Sequence, residues 1–316
     1  MIGWSRRWCW RESGLMKIWR GDPLAWGPGP DGGTALTIGV FDGVHRGHRS
    51  LLAALSERAV RAGGLETVVV TFDVHPRRFF DPIDGPAMLV TLSRRLELLE
   101  SMGVGQVGVL PFADVRHLVP EAFIGRVVSG GFGARAVVVG EDFRYGAGRV
   151  GDVAALVTSG HAHGFRVDAV RLKDGEEGPI SSSTIRSHIA VGEVAAAAEL
   201  LGRPHEVAGW PEGEDTSTLA VEVDWSMAVP GSGVYAVTVG TDDRRIPAVC
   251  SISGTGQPLR VRMPDGRTRP IPGDHLVLSF LDRLRSASPG GHSALRITTA
   301  DLAGAIRLVG GHPQGA

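Results

Sequence analysis

Short, solidly apolar runs alternate along the first two thirds of the chain with stretches whose apolar residues recur every three to four positions. Runs 36–41 (LTIGVF), 66–72 (ETVVVTF), 106–110 (QVGVL), 135–139 (RAVVV) and 165–170 (FRVDAV) predict strands buried on both faces. Between them the spacing predicts helices. In 47–62 Leu51, Leu55 and Ala59 fall four apart with Leu52 beside them, and Gly63-Gly64 stops the helix. Segments 93–102, 120–129, 152–159, 182–189 and 194–201 read the same way. Alternating strands and helices imply an α/β domain with a parallel sheet covered on both faces. The pattern changes after Leu201-Gly202-Arg203-Pro204. Short β-like pieces follow at 218–223, 233–239, 246–252, 258–263 and 275–280, with one helix at 300–308. They predict a small β-barrel domain.

The length of 316 residues fits about two domains. A net charge of −1 supplies no global field for nucleic acid, so no nucleic-acid partner is expected. No apolar run reaches the ~18 residues of a membrane span, so no membrane partner is expected. Cys9 and Cys250 are too few for a disulfide framework or a cysteine zinc site, which points to a reducing cytoplasm. Residues 1–15, dense in Trp and Arg, lack the apolar core of a signal peptide and are expected to be a disordered extension before a fold that starts near Met16. The oligomeric state is left open.

Ligands of open α/β sheets bind beyond the carboxyl ends of the strands. The first such crevice reads Gly39-Val40-Phe41-Asp42-Gly43-Val44-His45-Arg46-Gly47-His48. Gly39, Gly43 and Gly47 allow close backbone approach. His45 and His48, three apart at a helix start, can face one side, and the helix N-terminus favours anions. Together they suit a phosphate chain. There is no G-x-x-x-x-G-K-[ST], and the first turn lacks G-x-G-x-x-G, so neither a P-loop nor a nicotinamide fingerprint is present. His161 and His163 show no third metal ligand nearby and read as surface histidines; no metal-ligand residues are assigned.

TIGVFDGVHRGH (37–48) resembles the G-x-F-D-G-x-H-x-G-H signature of nucleotidylyltransferases in the form used by prokaryotic FAD synthetases, the bifunctional riboflavin kinase/FMN adenylyltransferases. Four further segments follow in the family's order. Thr71–Pro76 is similar to TF-x-PHP, with Val74 where Pro is usual. Val139–Gly146 is similar to VG-x-DFRFG. Ile180–Arg186 is similar to ISST-x-IR, with Ser183 for Thr. Leu200–Pro204 is similar to the domain junction. The resemblance spans roughly residues 16–210. It implies a Rossmann-like nucleotidylyltransferase domain at 16–203, a riboflavin-kinase-like barrel at 204–316, and transfer of AMP from ATP to FMN with Mg²⁺. By resemblance, Gly39, Phe41, Asp42, Gly43, His45, Gly47, His48 and Arg186 bind ATP. His45, His48, Ser182, Ser183 and Arg186 handle the reacting phosphates. The flat flavin ring needs an apolar, partly aromatic slot, for which Phe80, Phe143 and Tyr145 are candidates with Asp142 as polar anchor and His75-Pro76 shaping it; Phe143 reads equally as a core residue and His75-Pro76 equally as a structural turn.

The second domain departs from the family. Segment 209–223 (GWPEGEDTSTLAVEV) has no PTAN motif, although Pro230–Val237 resembles the family's P-x-x-GVY-x-V strand. Segment 257–266 (QPLRVRMPDG) places arginines where the kinase carries an acidic strand. The barrel is therefore expected without riboflavin kinase activity, with Asp215 and Thr216 as loop residues. Two other readings stay open. One is nucleotidylyl transfer to another phosphomonoester or a modified flavin, or with CTP as donor. The other is a non-catalytic flavin- or nucleotide-binding regulator.

Overall fold

The structure, a computed structural model, describes residues 16–25, 32–171, 174–175, 178–212, 218–241, 244–264, 275–287 and 295–311. Residues 1–15, with Cys9, and Asp215 and Thr216 lie outside the described residues. Contacts divide the chain into two compact units. One holds the described residues up to Pro86 and Thr91–Ile180; the other holds Ala87–Val90 and the described residues from Ser181 onward.

The first unit is built on a six-stranded parallel sheet. Its strands are β1 (Lys17–Arg20), β2 (Thr34–Ile38), β3 (Glu66–Phe72), β4 (Gln106–Leu110), β5 (Ala134–Gly140) and β6 (Arg166–Val170), in the order β1-β4-β3-β2-β5-β6. Interior strands β2 and β4 are buried at every position, as the apolar runs over them predict. Edge strands β1 and β6 are half-exposed. β1 is a strand the apolar pattern did not predict; it pairs with β4 and ties Trp19 Nε1 to Gln106 Oε1 at 2.7 Å.

Helix α1 (Arg46–Arg61) follows β2 and buries Leu51, Leu52, Leu55 and Ala59. Short α2 (Pro76–Phe80) follows β3. Helix α3 (Leu92–Glu100) precedes β4, and α4 (Phe112–Val115) follows it. The predicted helix at 120–129 is interrupted: α5 (Pro120–Phe123) widens into a π-helical stretch, Ile124–Ser129, before α6 (Gly130–Phe132). Helix α7 (Val153–His163) is capped by Asp152 and ends at Gly164, φ 77°. The main core joins Leu36, Ile38, Val68, Val70, Val137 and Val139 of the sheet to Phe123, Ile124, Val127, Phe132, Leu156 and Phe165. The chain runs from β2 outward through β3 and β4, then returns to β5 on the other side of β2. Strand order therefore reverses at the carboxyl end of β2, the place where such sheets form a crevice.

A two-stranded ribbon, β7 (Asp174–Gly175) with β8 (Gly178–Pro179), leads to the second unit. There α8 (Ser182–Ala190) and α9 (Val194–Leu201) group with a closed barrel of β9 (His205–Glu212), β10 (Leu219–Val223), β11 (Gly233–Thr241), β12 (Arg244–Ile252), β13 (Leu259–Arg262) and β14 (Leu276–Ser286). The order is β10-β13-β12-β11-β14-β9, antiparallel at every pairing, and β9 pairs with both β10 and β14 to close it. The expected barrel is present, with β9 as a further strand. Along β11, Tyr235, Val237 and Val239 point into the barrel with Ala248, Cys250 and Ile252 of β12. Val234 and Ala236 point outward beneath α10 (Thr299–Gly311), against Leu302 and Ala305. Asp301 fastens α10: Arg285 Nε and Nη2 donate to its two oxygens at 2.9 Å, and the Thr298 N–H and hydroxyl donate to Oδ2 at 2.8 Å.

Candidate functional site

The predicted strand 36–41 stops at Ile38, because the next residues turn sharply. Gly39 N–H still bonds the Val70 carbonyl. Phe41 (φ 53°), Gly43 (φ 81°) and Val44 (φ 41°) then take the left-handed conformation. For Phe41 and Val44 that costs about 1–3 kcal/mol each, and both are fully buried, so packing holds them there. The strain aims the next residue, His45, at the start of α1.

His45 is the N-cap of α1. Its Nδ1 accepts from the His48 N–H at 3.4 Å, which assigns the ring proton to Nε2. The His45 and His48 rings stack at 3.7 Å with 19° between planes, and Phe41 leans on His48 at 4.9 Å. Burial pushes the His48 pKa well below the imidazole range, and the neighbouring His45 and Arg95 act in the same direction. His48 is therefore neutral near pH 7. Its Nδ1 is buried without a hydrogen-bond partner among the described residues. Gly47 leaves room for this arrangement: a Cβ there would stand 3.1 Å from His45 Nδ1 and 3.2 Å from the Ile180 carbonyl. Asp42 is 1% exposed. The turn thus offers the neutral His48 imidazole, the His45 ring stacked on it and the N-terminal amides of a sixteen-residue helix, a donor set suited to phosphate oxygens.

One residue the sequence reading did not single out lies beneath this turn. Arg95 on α3 is 1% exposed, and its Nη1 donates to Thr71 Oγ1 at 3.1 Å and the Phe72 carbonyl at 3.0 Å. The signal was present in the sequence: Leu92, Arg95, Leu96 and Leu99 share one helix face, so Arg95 sits inside an apolar stripe.

Of the flavin-side residues, His75 caps α2 through Nδ1, which accepts from the Arg77 N–H at 3.1 Å, and Pro76 occupies the first helical position. Phe80 is 67% exposed. It belongs to an aromatic cluster with Phe79 and Phe112, whose rings meet edge to face at 5.3–5.8 Å, and Phe72 joins through Phe112 at 5.6 Å. Asp142 is exposed and Phe143 half-buried. Phe143 stacks on Tyr145 at 5.7 Å, while Tyr145 is part of the main core and packs against Phe123. His163 pairs with Glu121 at 2.7 Å, away from any cluster able to hold a metal among the described residues.

The remaining phosphate-side candidates lie in the second unit. Ser181 is the N-cap of α8, its Oγ accepting from Thr184 N–H at 3.1 Å. Ser182 and Ser183 are the first two helical residues, and Arg186, one turn later, shares their side of the helix. Arg186 Nε donates to the Ala87 carbonyl at 2.6 Å. Segment 87–90 is itself bound in this unit, with Met88 N–H on the Ser226 carbonyl and Ala228 N–H on the Met88 carbonyl. Among the described residues, no helix is long and apolar enough to cross a membrane.

Comparison with known proteins covers most of the chain. The model of the family described as "FAD synthetase" matches residues 29–184. A bifunctional riboflavin kinase/FMN adenylyltransferase of Pseudomonas fluorescens is 38% identical over 228 residues, covering 70% of this chain and 72% of that protein. The protein of the same description from Escherichia coli K12 is 34% identical over 251 residues, covering 75% and 80%. A solved structure titled a macrolide-efflux protein from Streptococcus pneumoniae shares the fold, with a TM-score of 0.75 at 22% identity over 93% of this chain and 97% of that one. With the signature turn at the switch point of a parallel sheet and a barrel following it, the chain belongs to the FAD synthetase family and is an enzyme of the nucleotidyltransferase kind.

Proposed function

We propose that this chain is an FMN adenylyltransferase, working in the cytoplasm, that converts ATP and FMN into FAD and pyrophosphate. The stacked His45–His48 pair at the head of α1 is the observation that carries the reading. An oxygen of the FMN phosphate attacks the α-phosphorus of ATP. A new P–O bond forms as the bond to the bridging oxygen of the β-phosphate breaks, and pyrophosphate leaves with that electron pair. A phosphate monoester has its second pKa near ~6, so the nucleophile is already ionised at neutral pH and needs no general base. The protein's task is alignment and stabilisation of charge at the α-phosphate. His45 and His48 donate to the ATP phosphates together with the α1 amides. Ser182, Ser183 and Arg186 supply hydroxyl donors and a cation to the phosphates. Gly39, Phe41, Asp42, Gly43 and Gly47 shape the turn around the nucleotide. His75, Pro76, Phe80, Asp142 and Phe143 form the flavin side, with the buried Tyr145 ring backing Phe143 and the Phe79–Phe112 pair extending the aromatic surface of Phe80.

Among the described residues no three His, Cys, Asp or Glu side chains converge into a cage, and the groups at the turn suit phosphate oxygen. Mg²⁺ is accordingly taken as part of the MgATP substrate, where it would neutralise phosphate charge.

The barrel is proposed to have lost riboflavin kinase chemistry. In β13, Arg260 is exposed and Arg262 half-buried, in the strand where the kinase pattern calls for acid. Product analysis with ATP and Mg²⁺ tests both parts. FAD from FMN with no product from riboflavin is expected. FMN or FAD from riboflavin would show that the kinase survives, and no FAD from FMN would overturn the adenylyltransferase reading. His48→Ala should lower kcat by about 10²–10³-fold, as expected for loss of one donor to the developing charge.

A further inference from the structure

Arg95 has no evident packing reason to be an arginine. Leu96, Leu98 and Leu99 already bury the apolar side of α3, and burying a guanidinium is expensive unless it is paired. Its hydrogen bonds run in one direction, toward the phosphate turn. Nη1 holds Thr71 Oγ1 and the Phe72 carbonyl at the end of β3. Thr71 Oγ1 in turn donates to the Val40 carbonyl at 3.0 Å, within the turn that follows β2. Asp42, buried in the same turn, offsets part of the cost of burying the guanidinium. The adjacent ends of β2 and β3 are thus bridged by one hydroxyl, and that hydroxyl is oriented by one buried cation.

We propose that Arg95 is a positioning residue for adenylyl transfer: through Thr71 it fixes the turn that presents His45 and His48, and it places a permanent positive charge beneath the nucleotide's phosphates. The proposal rests on the adenylyltransferase reading. A guanidinium fits the place better than an ammonium does, because its planar fork holds two acceptors in set directions while lysine offers a mobile point charge. The two parts of the role separate by substitution. Arg95→Met removes the charge and the bonds, Arg95→Lys keeps the charge, and Thr71→Val keeps the charge but cuts the bridge to Val40.

The experiment is steady-state pyrophosphate release with MgATP and FMN, beside thermal unfolding of each variant. Arg95→Met is expected to lose about 10²-fold in kcat with KM for ATP changed far less, the signature of an interaction felt in the transition state. Arg95→Lys should recover about tenfold of that loss through its charge. Thr71→Val should lose about tenfold through misplacement of the turn, with its unfolding midpoint within about 4 °C of the parent. A folded Arg95→Met enzyme working at the parent's kcat would overturn the proposal. So would full activity in Thr71→Val together with an Arg95→Lys no better than Arg95→Met. Should Arg95→Met fail to fold, the Lys and Val variants decide by the same criteria. If the parent itself makes no FAD, the adenylyltransferase reading fails, and the imidazole NMR resonances of His45 and His48 decide on Arg95: resonances moved in both Arg95→Met and Thr71→Val support its hold on the turn, and resonances at the parent's positions overturn it.

Discussion

Replacing Gly47 by Ala sets two effects against each other within one residue. Gly47 lies in the first turn of α1 with an ordinary helical backbone, so propensity alone predicts a gain of up to about 1 kcal/mol in helix stability. The new methyl, however, would stand 3.1 Å from His45 Nδ1, 3.2 Å from Cε1 and 3.2 Å from the Ile180 carbonyl. Favourable carbon contacts begin near about 3.5 Å, so the His45 ring must give way by roughly 0.4 Å, since the carbonyl is backbone. A misplacement of 1 Å can cost about 10²-fold in rate, which scales to a loss of roughly sixfold to tenfold here. The ring also caps the helix and stacks on His48, so its displacement disturbs both. The expected outcome is a Gly47→Ala enzyme that melts at or slightly above the parent's temperature but releases pyrophosphate roughly tenfold more slowly at saturating MgATP and FMN. Parent-like kcat in a stabilised variant would refute the claim that the His45 ring position governs the rate. Loss of activity only through a lowered melting temperature would refute the steric argument.

Acid should act on the barrel through His205, which is buried with Nε2 on the Ala228 carbonyl at 2.6 Å and whose pKa burial lowers to about 4. The unfolded chain takes up this proton near 6.5 and the folded one only near 4, so the contribution is complete above pH 6.5 and falls by roughly 3 kcal/mol as pH drops to 4. Urea midpoints at pH 7 and 4.5 should therefore differ more for the parent than for His205→Gln, and equal shifts would reject this assignment. Asp301, held at about 2 chiefly by its bonds with Arg285, stabilises α10 at pH above its ordinary 3.8, and that support is lost as pH falls toward 2. Asp301→Asn should cost about 2 kcal/mol and speed amide exchange in α10; unchanged exchange there would show that the apolar contacts alone hold the helix.

The apolar runs were enough to locate β2 to β6 and most helices: β2 to β5 are largely buried and need no partner information to be read, and even the half-exposed edge strand β6 kept its run. What escaped depended on neighbours. β1 is four residues at a sheet edge, with too little pattern to register. β9, HEVAGWPE, contains Gly and Pro and reads as a linker; it becomes a strand only because β10 and β14 both offer it an edge. The end of β2 was placed three residues too far along the chain, since Phe41 looks like strand and the left-handed turn it enters is imposed by packing. The histidine turn and the serine cap of α8 were legible as motifs. Arg95 was not singled out, because Arg94-Arg95 looks like an ordinary solvated pair until the helix phase is followed. Tyr145 sits in a flavin-slot motif, yet its ring serves the core.

The barrel closes through its first and last strands, β9 and β14. On the ribosome, β9 emerges roughly seventy residues before its partner begins, several seconds at ordinary elongation rates. Through that interval β9 and β11 each keep one hydrogen-bonding edge unclaimed. A chain terminated before Leu276 would keep those edges for good, so nonsense or frameshift lesions late in the gene should yield aggregates rather than a shortened enzyme.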